Sequence, residues 1–376
     1  MRTAVVSDLH LGLHAKADVA RKPEVRAALV EAVRASDRVV LLGDILELRE
    51  LPLSDALEVG RPLFEELGRE LAGRRVLLVP GNHDHALAEP WLSQLRLDGK
   101  PLPAEGEWQV KPADGAAGRI AAWMPDVELS VAYPGVRLRA DVYVTHGHYL
   151  DLHLTVPRLE AIAASAMGRV TGLGKTARSA ADYEAVLAPM YAFYSSLAQG
   201  ASSASMSRGG SLSRSVWRRV SDGRPADAPR GKVEAGRLLA TRFLLGQVTI
   251  PGAVAALNGL GLGPFSPTLT GEELRRSGLN AMSRVASTLS PGTEHVIFGH
   301  THRPGPLPDD DPDEWTTSSG TRLWNSGSWL HEGAFVRAGG DSPYWPGTVL
   351  TLVDEDPPRI ENALRVNGAG SDHGVR

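Results

Sequence analysis

The sequence predicts an α/β fold built around a largely parallel sheet, for three reasons. Short continuous apolar runs recur in the first part of the chain, as at residues 39–42, and indicate strands that are buried on both faces. These runs alternate with segments of helical periodicity, which favours right-handed crossovers between parallel strands. The runs lead into glycine, aspartate, asparagine or histidine, and open α/β sheets bind their ligands at this carboxyl edge.

The composition is that of a soluble globular protein, with 42% hydrophobic and 22% charged residues. The absence of cysteine excludes disulfides and thiolate metal sites, so any metal needs nitrogen and oxygen ligands. A formal net charge of -4 argues against general nucleic-acid binding. The first residues indicate a strand and not a signal peptide, and no run of about 20 apolar residues predicts a spanning helix, so we expect a cytoplasmic protein.

The first part of the chain predicts a β-α-β-α-β order. Its elements are a strand at 3–7, a helix at 22–35, a strand at 39–42, a helix at 63–71 and a strand at 75–79. The second of these strands ends at Gly43 and Asp44, and glycine allows the backbone to turn sharply there. This order predicts that the three strands are parallel and that their carboxyl ends lie side by side.

Shorter apolar pieces follow and then, much later, the sheet resumes. Strands are predicted at 129–133, 136–138, 142–145, 295–298, 321–324 and 347–353. We therefore expect a discontinuous catalytic domain of residues 1–150 and 290–360. Residues 366–376 are predicted to be a disordered tail.

Residues 151–289 are predicted to be a mainly helical insertion, or cap. Helical pieces are expected at 157–167, 180–198, 211–219, 232–245 and 272–289. The insertion carries 16 Lys and Arg residues against 9 Asp and Glu, a net charge of +7, so the rest of the chain carries -11.

Within this insertion, the segment 243–271 has no charged residue, and two interpretations remain open. It is either a loop and helix packed on the core or an apolar lid or membrane-surface element. The second interpretation is supported by basic residues nearby, namely Arg218, Arg219, Arg237 and Arg242.

Candidate ligands follow five of the predicted strands. They are Asp8 and His10, Asp44, Asn82 and His83, His146 and His148, and His300 and His302. In each Asp-x-His or His-x-His pair, both side chains lie on the same side of an extended segment. Taken singly, each motif is also compatible with a helix cap or a turn. Carboxylate, imidazole and amide groups at five strand ends together indicate a site for Mn, Fe or Zn, and two metals can clamp a phosphoryl group.

As a set, the five motifs resemble the signature of the calcineurin-like metallophosphoesterases. The motifs are Asp8-Leu9-His10, Gly43-Asp44-Ile45-Leu46-Glu47, Gly81-Asn82-His83-Asp84, His146-Gly147-His148 and Gly299-His300-Thr301-His302. The resemblance implies a four-layer α/β/β/α sandwich with a dinuclear metal centre at the carboxyl edge of its sheets. In that scheme, one metal is held by Asp8, His10, Asp44 and His302, and the other by Asp44, Asn82, His146 and His300.

The same resemblance assigns roles to residues that are not ligands. It implies that His83 donates a proton to the leaving oxygen and that Asp84 orients His83. It further implies that Glu47, His148 and Arg303 support the ligands or face the substrate. Within the family, the motifs look most like the branch that includes UDP-2,3-diacylglucosamine pyrophosphohydrolases, although that branch commonly has Arg where this chain has His83.

The leading functional hypothesis is a metal-dependent phosphoesterase with two divalent ions. Manganese is favoured, and Fe, Zn, Co and Ni are the alternatives. A metal-bridging hydroxide would attack a phosphodiester, pyrophosphate or phosphomonoester of a small-molecule, lipid-linked or nucleotide-linked substrate, and the insertion would supply peripheral membrane contact. The alternatives are a catalytically silent scaffold of the same fold, against which all the ligands and His83 argue, and a nuclease-type member, against which the acidic catalytic part argues.

Overall fold

The computed structural model describes residues 1–200, 250–266, 270–331, 336 and 342–365. Within these residues the chain forms eleven strands and eight α-helices, with four short 3-10 helices. The strands are β1 (Arg2–Val6), β2 (Arg38–Leu41), β3 (Arg75–Leu78), β4 (Glu107–Gln109), β5 (Glu128–Ala132), β6 (Gly135–Arg139), β7 (Val142–Thr145), β8 (His295–Phe298), β9 (Arg322–Asn325), β10 (Thr348–Val353) and β11 (Arg359–Asn362). The helices are α1 (Pro23–Val33), α2 (Leu53–Glu70), α3 (Glu89–Leu97), α4 (Gly115–Trp123), α5 (Leu159–Thr171), α6 (Ala180–Gly200), α7 (Ile250–Gly259) and α8 (Gly271–Leu289).

The strands form two sheets. The larger sheet has the order β11-β10-β1-β2-β3-β5-β4, and its central strands β1, β2, β3 and β5 are parallel. The smaller sheet has the order β6-β7-β8-β9, in which β7, β8 and β9 are parallel. The continuous apolar runs therefore form parallel strands, as the sequence predicts, because both faces of each strand are covered.

Three apolar clusters show that the fold has four layers. One cluster lies between the two sheets and includes Val5, Val40 and Leu77 from the larger sheet and Val144 and Ile297 from the smaller one. A second joins the outer face of the larger sheet to α1, α2 and α4. A third joins the outer face of the smaller sheet to α5, α6 and α8. This arrangement confirms the predicted α/β/β/α sandwich.

The helices between β7 and β8 share the core of the smaller sheet. Tyr183 and Leu187 of α6 and Met282 of α8 are buried in the same cluster as Val296 and Phe298 of β8. The helices α5, α6 and α8 thus form the outer helical layer on this side of the sandwich. No helix within the described ranges is both long enough and apolar enough to cross a membrane.

Several helices differ from the prediction. Helix α2 begins at Leu53, well before the predicted start at residue 63, and it contains Pro62. A proline disturbs a helix interior, but α2 buries Leu57, Phe64 and Leu67 against the larger sheet, and this burial outweighs the local cost. Helices α3 and α4 were not predicted, because the short apolar pieces of this region carry no clear helical period.

Parts of the predicted insertion lie outside the described residues. They include the helical pieces at 211–219 and 232–245, the four basic residues named with them, and the first residues of the uncharged segment. Of that segment, α7 and the loop after it bury Val254 and Phe265 in the cluster of the smaller sheet, whereas Leu260 is exposed. The predicted tail, 366–376, also lies outside the described residues.

Candidate metal centre

The seven predicted metal ligands lie together at one edge of the sandwich, where strands of both sheets end. The larger sheet contributes the residues after β1, β2 and β3, and the smaller sheet those after β7 and β8. The seven are Asp8, His10, Asp44, Asn82, His146, His300 and His302. Backbone hydrogen bonds join the loops, since the N–H of Asp8 donates to the carbonyl of Gly43 at 3.0 Å and that of His10 to the carbonyl of Asp44 at 2.8 Å.

Five of these residues have a left-handed backbone, with φ between 46° and 67°. They are Asp8, His10, Asp44, His300 and His302. This conformation costs a residue with a side chain about 1–2 kcal/mol, and strain of this kind persists mainly at functional sites. Gly43, at φ 81°, lies against the ring of His146, which leaves no room for a Cβ atom. The left-handed backbone at these five residues is therefore tied to the direction in which their side chains point.

The possible metal-binding atoms at this edge form two groups that are joined by a third, which consists of His10, Asp44 and His83, in the part of the chain that the structure describes. In the first group, Asp8, His10 and His302 have such atoms within 4.8 Å of one another. In the second, the same holds for Asp44, His146 and His300. The Oδ2 atom of Asp44 lies 3.2 Å from Nε2 of His146 and 3.6 Å from Nε2 of His10, so this carboxylate stands between the groups.

The histidine nitrogens show that these groups fit divalent cations. His146 donates from Nδ1 to the carbonyl of Leu42 at 2.9 Å, and the Nδ1 atom of His10 lies 3.0 Å from Glu47. The Nε2 atoms of both rings are buried and have no hydrogen-bond partner in the described part of the chain. When Nδ1 carries the proton, Nε2 presents a lone pair, and a metal ion is the partner that such a buried lone pair accepts.

The amide of Asn82 adjoins Nδ1 of His300, Oδ2 of Asp44 and Nη1 of Arg49. Asn82 therefore lies within reach of the carboxylate that stands between the groups and of a ligand of the second group.

The buried carboxylates of the site favour the binding of protons and cations. Burial lowers the pKa of His146 and His10, but the carboxylates outweigh burial and raise these values to about 10 for His146 and about 9 for His10. The main carboxylates are Asp44 for His146, and Glu47 together with Asp44 for His10. Protons and metal ions compete for such nitrogens, so metal binding here releases protons and weakens as the pH falls.

Glu47 connects two histidines of the larger-sheet side. Its carboxylate, completely buried, lies 3.0 Å from Nδ1 of His10 and 2.8 Å from Nδ1 of His83. Burial opposes the ionisation of Glu47, but His83 and His10 outweigh it and hold its pKa below the ordinary range. Glu47 therefore orients His83 as well as His10.

The structure corrects the predicted role of Asp84. Its carboxylate accepts backbone N–H groups from Gly81 at 2.7 Å and Ile45 at 2.8 Å, and within the described residues it has no hydrogen bond to His83. Burial and the charge of Asp44 raise the pKa of Asp84 to about 6. Asp84 thus joins the loops after β2 and β3, and the residue that orients His83 is Glu47.

Arg303, the residue after His302, pairs with the acidic loop. Its guanidinium forms a two-point ion pair with Asp310, at 2.6 and 2.9 Å, and lies 5.9 Å from the ring of Trp315. Asp310 of the acidic loop thus engages the charge of Arg303, and a contact of Arg303 with the ligands or the substrate stays a prediction. His148, by contrast, is buried with its ring 5.5 Å from that of His146.

Three residues of the site were not identified from the sequence. Asp151 accepts from Nε2 of His300 at 3.0 Å, in the short 3-10 helix His148–Leu152. Glu184 of α6 accepts from Tyr133 at 2.7 Å, and the hydroxyl of Tyr133 lies 3.2 Å from Nε2 of His148. Arg49 donates from Nη1 to Nε2 of His83 at 3.0 Å.

The sequence contains a usable signal only for the first of these residues. Asp151 stands between two leucines close to His148, where a carboxylate needs a buried partner. Glu184 and Arg49 occupy positions that are compatible with an ordinary exposed charge, and only the packing of α6 and of the loop after β2 brings them to the site.

A cavity of about 660 Å³ opens beside the ligands. Arg49, Asn82 and His83 line one end of it, and its walls are formed largely by α3 and α6. The apolar part of the lining consists mainly of Leu92, Leu95, Leu102, Ala185, Ala188 and Ala192. The cavity therefore combines a polar end at the ligands with largely apolar walls.

Comparisons with known proteins complete this description. The family model for calcineurin-like phosphoesterases matches residues 1–193. Among solved structures, a dimetal phosphatase from Danio rerio is similar at 13% sequence identity, with 96% of this chain and 95% of that chain covered and a TM-score of 0.33. No curated protein matches the sequence. Because the family model covers more than half of the 376 residues, the chain belongs to the calcineurin-like phosphoesterase family and is a metal-dependent phosphoesterase.

Proposed function

We propose that this protein hydrolyses a phosphoester with two divalent metal ions held at the carboxyl edge of its sheets. Membership of the family implies two such ions. The observation that carries the proposal is the pair of ligand groups adjoining at Asp44, in which the buried Nε2 atoms of His10 and His146 have no hydrogen-bond partner among the described residues. One ion would be held by Asp8, His10, Asp44 and His302, and the other by Asp44, Asn82, His146 and His300.

When bound, the ions would polarise the phosphoryl oxygens and activate a water molecule. Oxygen and nitrogen ligands without thiolate favour Mn²⁺, with Fe, Zn, Co and Ni as alternatives. The protein contributes the orientation of the ligands, which Glu47 and Asp151 provide through His10 and His300.

His83 is the proposed proton donor to the leaving oxygen. Arg49 can only donate, so Nε2 of His83 accepts a hydrogen bond from it. Nδ1 of His83 therefore carries the ring proton and donates a hydrogen bond to Glu47. To act as an acid, Nε2 must first take up a proton from solvent, and Glu47 stabilises the positive charge that His83 then carries. A substrate that displaces Arg49 from Nε2 would allow this atom to pass the proton to the leaving group.

The cavity supports a substrate with an apolar part next to its phosphoester. Its polar end meets the proposed metal ligands, and its walls are largely apolar, as expected for a lipid-linked or nucleotide-linked phosphodiester or pyrophosphate. Such substrates include the class cleaved in the UDP-2,3-diacylglucosamine pyrophosphohydrolase branch. A cytoplasmic location with peripheral membrane contact through the segment 151–289 belongs to the same proposal.

The test is an activity assay on purified protein of known metal content. With added Mn²⁺ we expect hydrolysis of p-nitrophenyl phosphate or bis-p-nitrophenyl phosphate, and with a chelator we expect its loss. Alkyl p-nitrophenyl phosphodiesters with short and long alkyl groups then report on the cavity, since a longer group should lower KM. Activity that survives complete removal of the metals would contradict the proposed reaction.

A further inference from the structure

The guanidinium of Arg49 occupies the junction between the proposed metal ligands and the cavity. Its Nη1 atom donates to Nε2 of His83 at 3.0 Å and faces the amide of Asn82. The side chain is 15% exposed and lines the cavity. Arg49 is therefore an arginine at the place where a phosphoryl group would meet the site.

Arg49 is positioned by the helical segment between β7 and β8. Its guanidinium carbon lies 4.2 Å from the ring centre of Tyr194 on α6, and its Nη2 atom lies 3.6 Å from Glu160 on α5. Burial raises the pKa of Glu160, but Arg158 and Arg49 outweigh it and lower this pKa to about 2, so Glu160 is ionised. An aromatic face and a carboxylate on two helices thus define where the guanidinium lies.

The guanidinium retains donors for a ligand. An arginine side chain has five N–H donors, and within the described residues only the Nη1 group of this one is engaged, by Nε2 of His83 and by the neighbouring amide of Asn82. The separation of 3.6 Å from Glu160 is an electrostatic contact that is too long for a hydrogen bond. A planar guanidinium with unused donors matches the geometry of phosphoryl oxygens.

We propose that Arg49 binds a non-bridging oxygen of the substrate's phosphoryl group, and that Glu160 and Tyr194 position it to do so. The inference rests on the proposed function, because it needs the phosphoryl group to lie at the metal ligands. It assigns to α5 and α6 a part in the reaction: they set the position of a substrate-binding residue that belongs to the loop after β2.

The direct test measures the affinity of the metal-loaded protein for inorganic phosphate by calorimetry. Arg49→Gln should weaken phosphate binding about 10- to 100-fold, because it removes a charge-assisted hydrogen bond. Arg49→Lys should lie between Gln and the wild type, since Lys keeps the charge and loses the planar donor pair. Elemental analysis should find the wild-type metal content in both variants.

The positioning role is tested at Tyr194. Tyr194→Leu should weaken phosphate binding about 2- to 30-fold, which is the range expected for a cation–π contact, whereas Tyr194→Phe keeps the aromatic face and should match the wild type. In the Arg49→Gln background, Tyr194→Leu should add nothing, since the two residues act through one contact. Glu160→Gln should behave in the same way as Tyr194→Leu.

Arg61→Gln is the matched control, because Arg61 also pairs with a carboxylate, Glu65 at 2.6 Å, and lies 5.9 Å from the ring centre of Trp123, on the helix α2 that packs on the outer face of the larger sheet. It should leave phosphate affinity unchanged. The proposal is overturned if Arg49→Gln binds phosphate within twofold of the wild type, if it loses metal, or if Tyr194→Leu weakens binding equally with and without Arg49. Wild-type protein that binds fewer than two metals, or that hydrolyses no phosphoester, would instead contradict the proposed function. The phosphate affinity of the Arg49 variants distinguishes that failure from a failure of the Arg49 proposal.

Discussion

The ligands that follow the larger sheet and those that follow the smaller sheet are supported in different ways. On the larger-sheet side, Glu47 holds both His10 and His83, and Glu47 lies in the same loop as Asp44. On the smaller-sheet side, Asp151 holds His300, and Glu184 is connected to His148 through Tyr133. The larger-sheet side is thus supported from its own loops, whereas the smaller-sheet side is supported both from the loop after β7, through Asp151, and from α6, through Glu184.

This difference has a physical origin in the topology. The loops after β1, β2 and β3 follow neighbouring parallel strands, so a carboxylate in one loop reaches the ligands of the next. The loops after β7 and β8 are separated along the chain by α5, α6 and α8, and these helices pack on the sheet beside the ligands. The smaller-sheet side therefore has a second source of supporting groups, the packed helices, besides the loop after β7 that carries Asp151.

Asp44 should have the largest effect, because it stands between the two halves. We expect Asp44→Asn to lose at least one metal per chain and nearly all activity, since the variant removes the charge that adjoins both ligand groups. Elemental analysis and the phosphoesterase assay measure the two losses. Two tightly bound metals in Asp44→Asn would contradict the shared position of this carboxylate.

A control for Asp44→Asn exists at the opposite end of the smaller sheet. Asp141, Glu294 and His295 also form a group of possible metal ligands there, but the Asp141 carboxylate is engaged by Arg139 at 2.6 Å. Asp141→Asn should therefore leave the metal content and the activity at wild-type values.

His83 should have the next largest effect, and it separates turnover from metal binding on the larger-sheet side. General acid catalysis is worth about 10²- to 10⁴-fold in rate, so His83→Ala should lose this much on an alkyl phosphoester, whose leaving group needs a proton. The loss should be smaller with p-nitrophenyl phosphate, and the metals should stay bound. Equal losses on both substrates would remove the acid role.

The sequence predicts the ligands of this site better than the residues that surround them. The ligands and Glu47 follow apolar strands at short spacings, and their convergence follows from parallel strand order alone. The role of Asp84 was predicted incorrectly, because its position next to His83 in the chain does not determine the direction of its side chain, which turns to the backbone of Gly81 and Ile45.

The prediction of the fold has the same limit, since contacts that depend on the packing of distant elements cannot be read from the sequence. Strands with continuous apolar runs were predicted nearly to the residue, as for β2 and β3. Glu184 could not be assigned, because its contact with Tyr133 depends on how α6 packs across the smaller sheet. Arg49 is two residues beyond Glu47, yet its guanidinium is positioned by His83 of the next loop and by Tyr194 and Glu160 of distant helices.

The smallest expected effect compares the supporting carboxylates of the two halves directly. Loss of a carboxylate behind a metal-binding histidine typically weakens metal affinity about 10- to 100-fold. Glu47→Gln should affect the ion held through His10, and Asp151→Asn the ion held through His300. Titration of metal-free protein with Mn²⁺ should therefore show one weakened binding step in each variant.

The two variants should differ once the metals are saturating. Glu47 also fixes His83, so Glu47→Gln should keep a lowered kcat when both metals are bound, because the proton donor is less well oriented. Asp151 has its ion pair with His300 and has none with His83 among the described residues, so Asp151→Asn should regain wild-type kcat at high Mn²⁺. An Asp151→Asn protein whose kcat stays as low as that of Glu47→Gln at saturating metal would show that the smaller-sheet side also serves the chemical step, and the distinction between the two halves would fail.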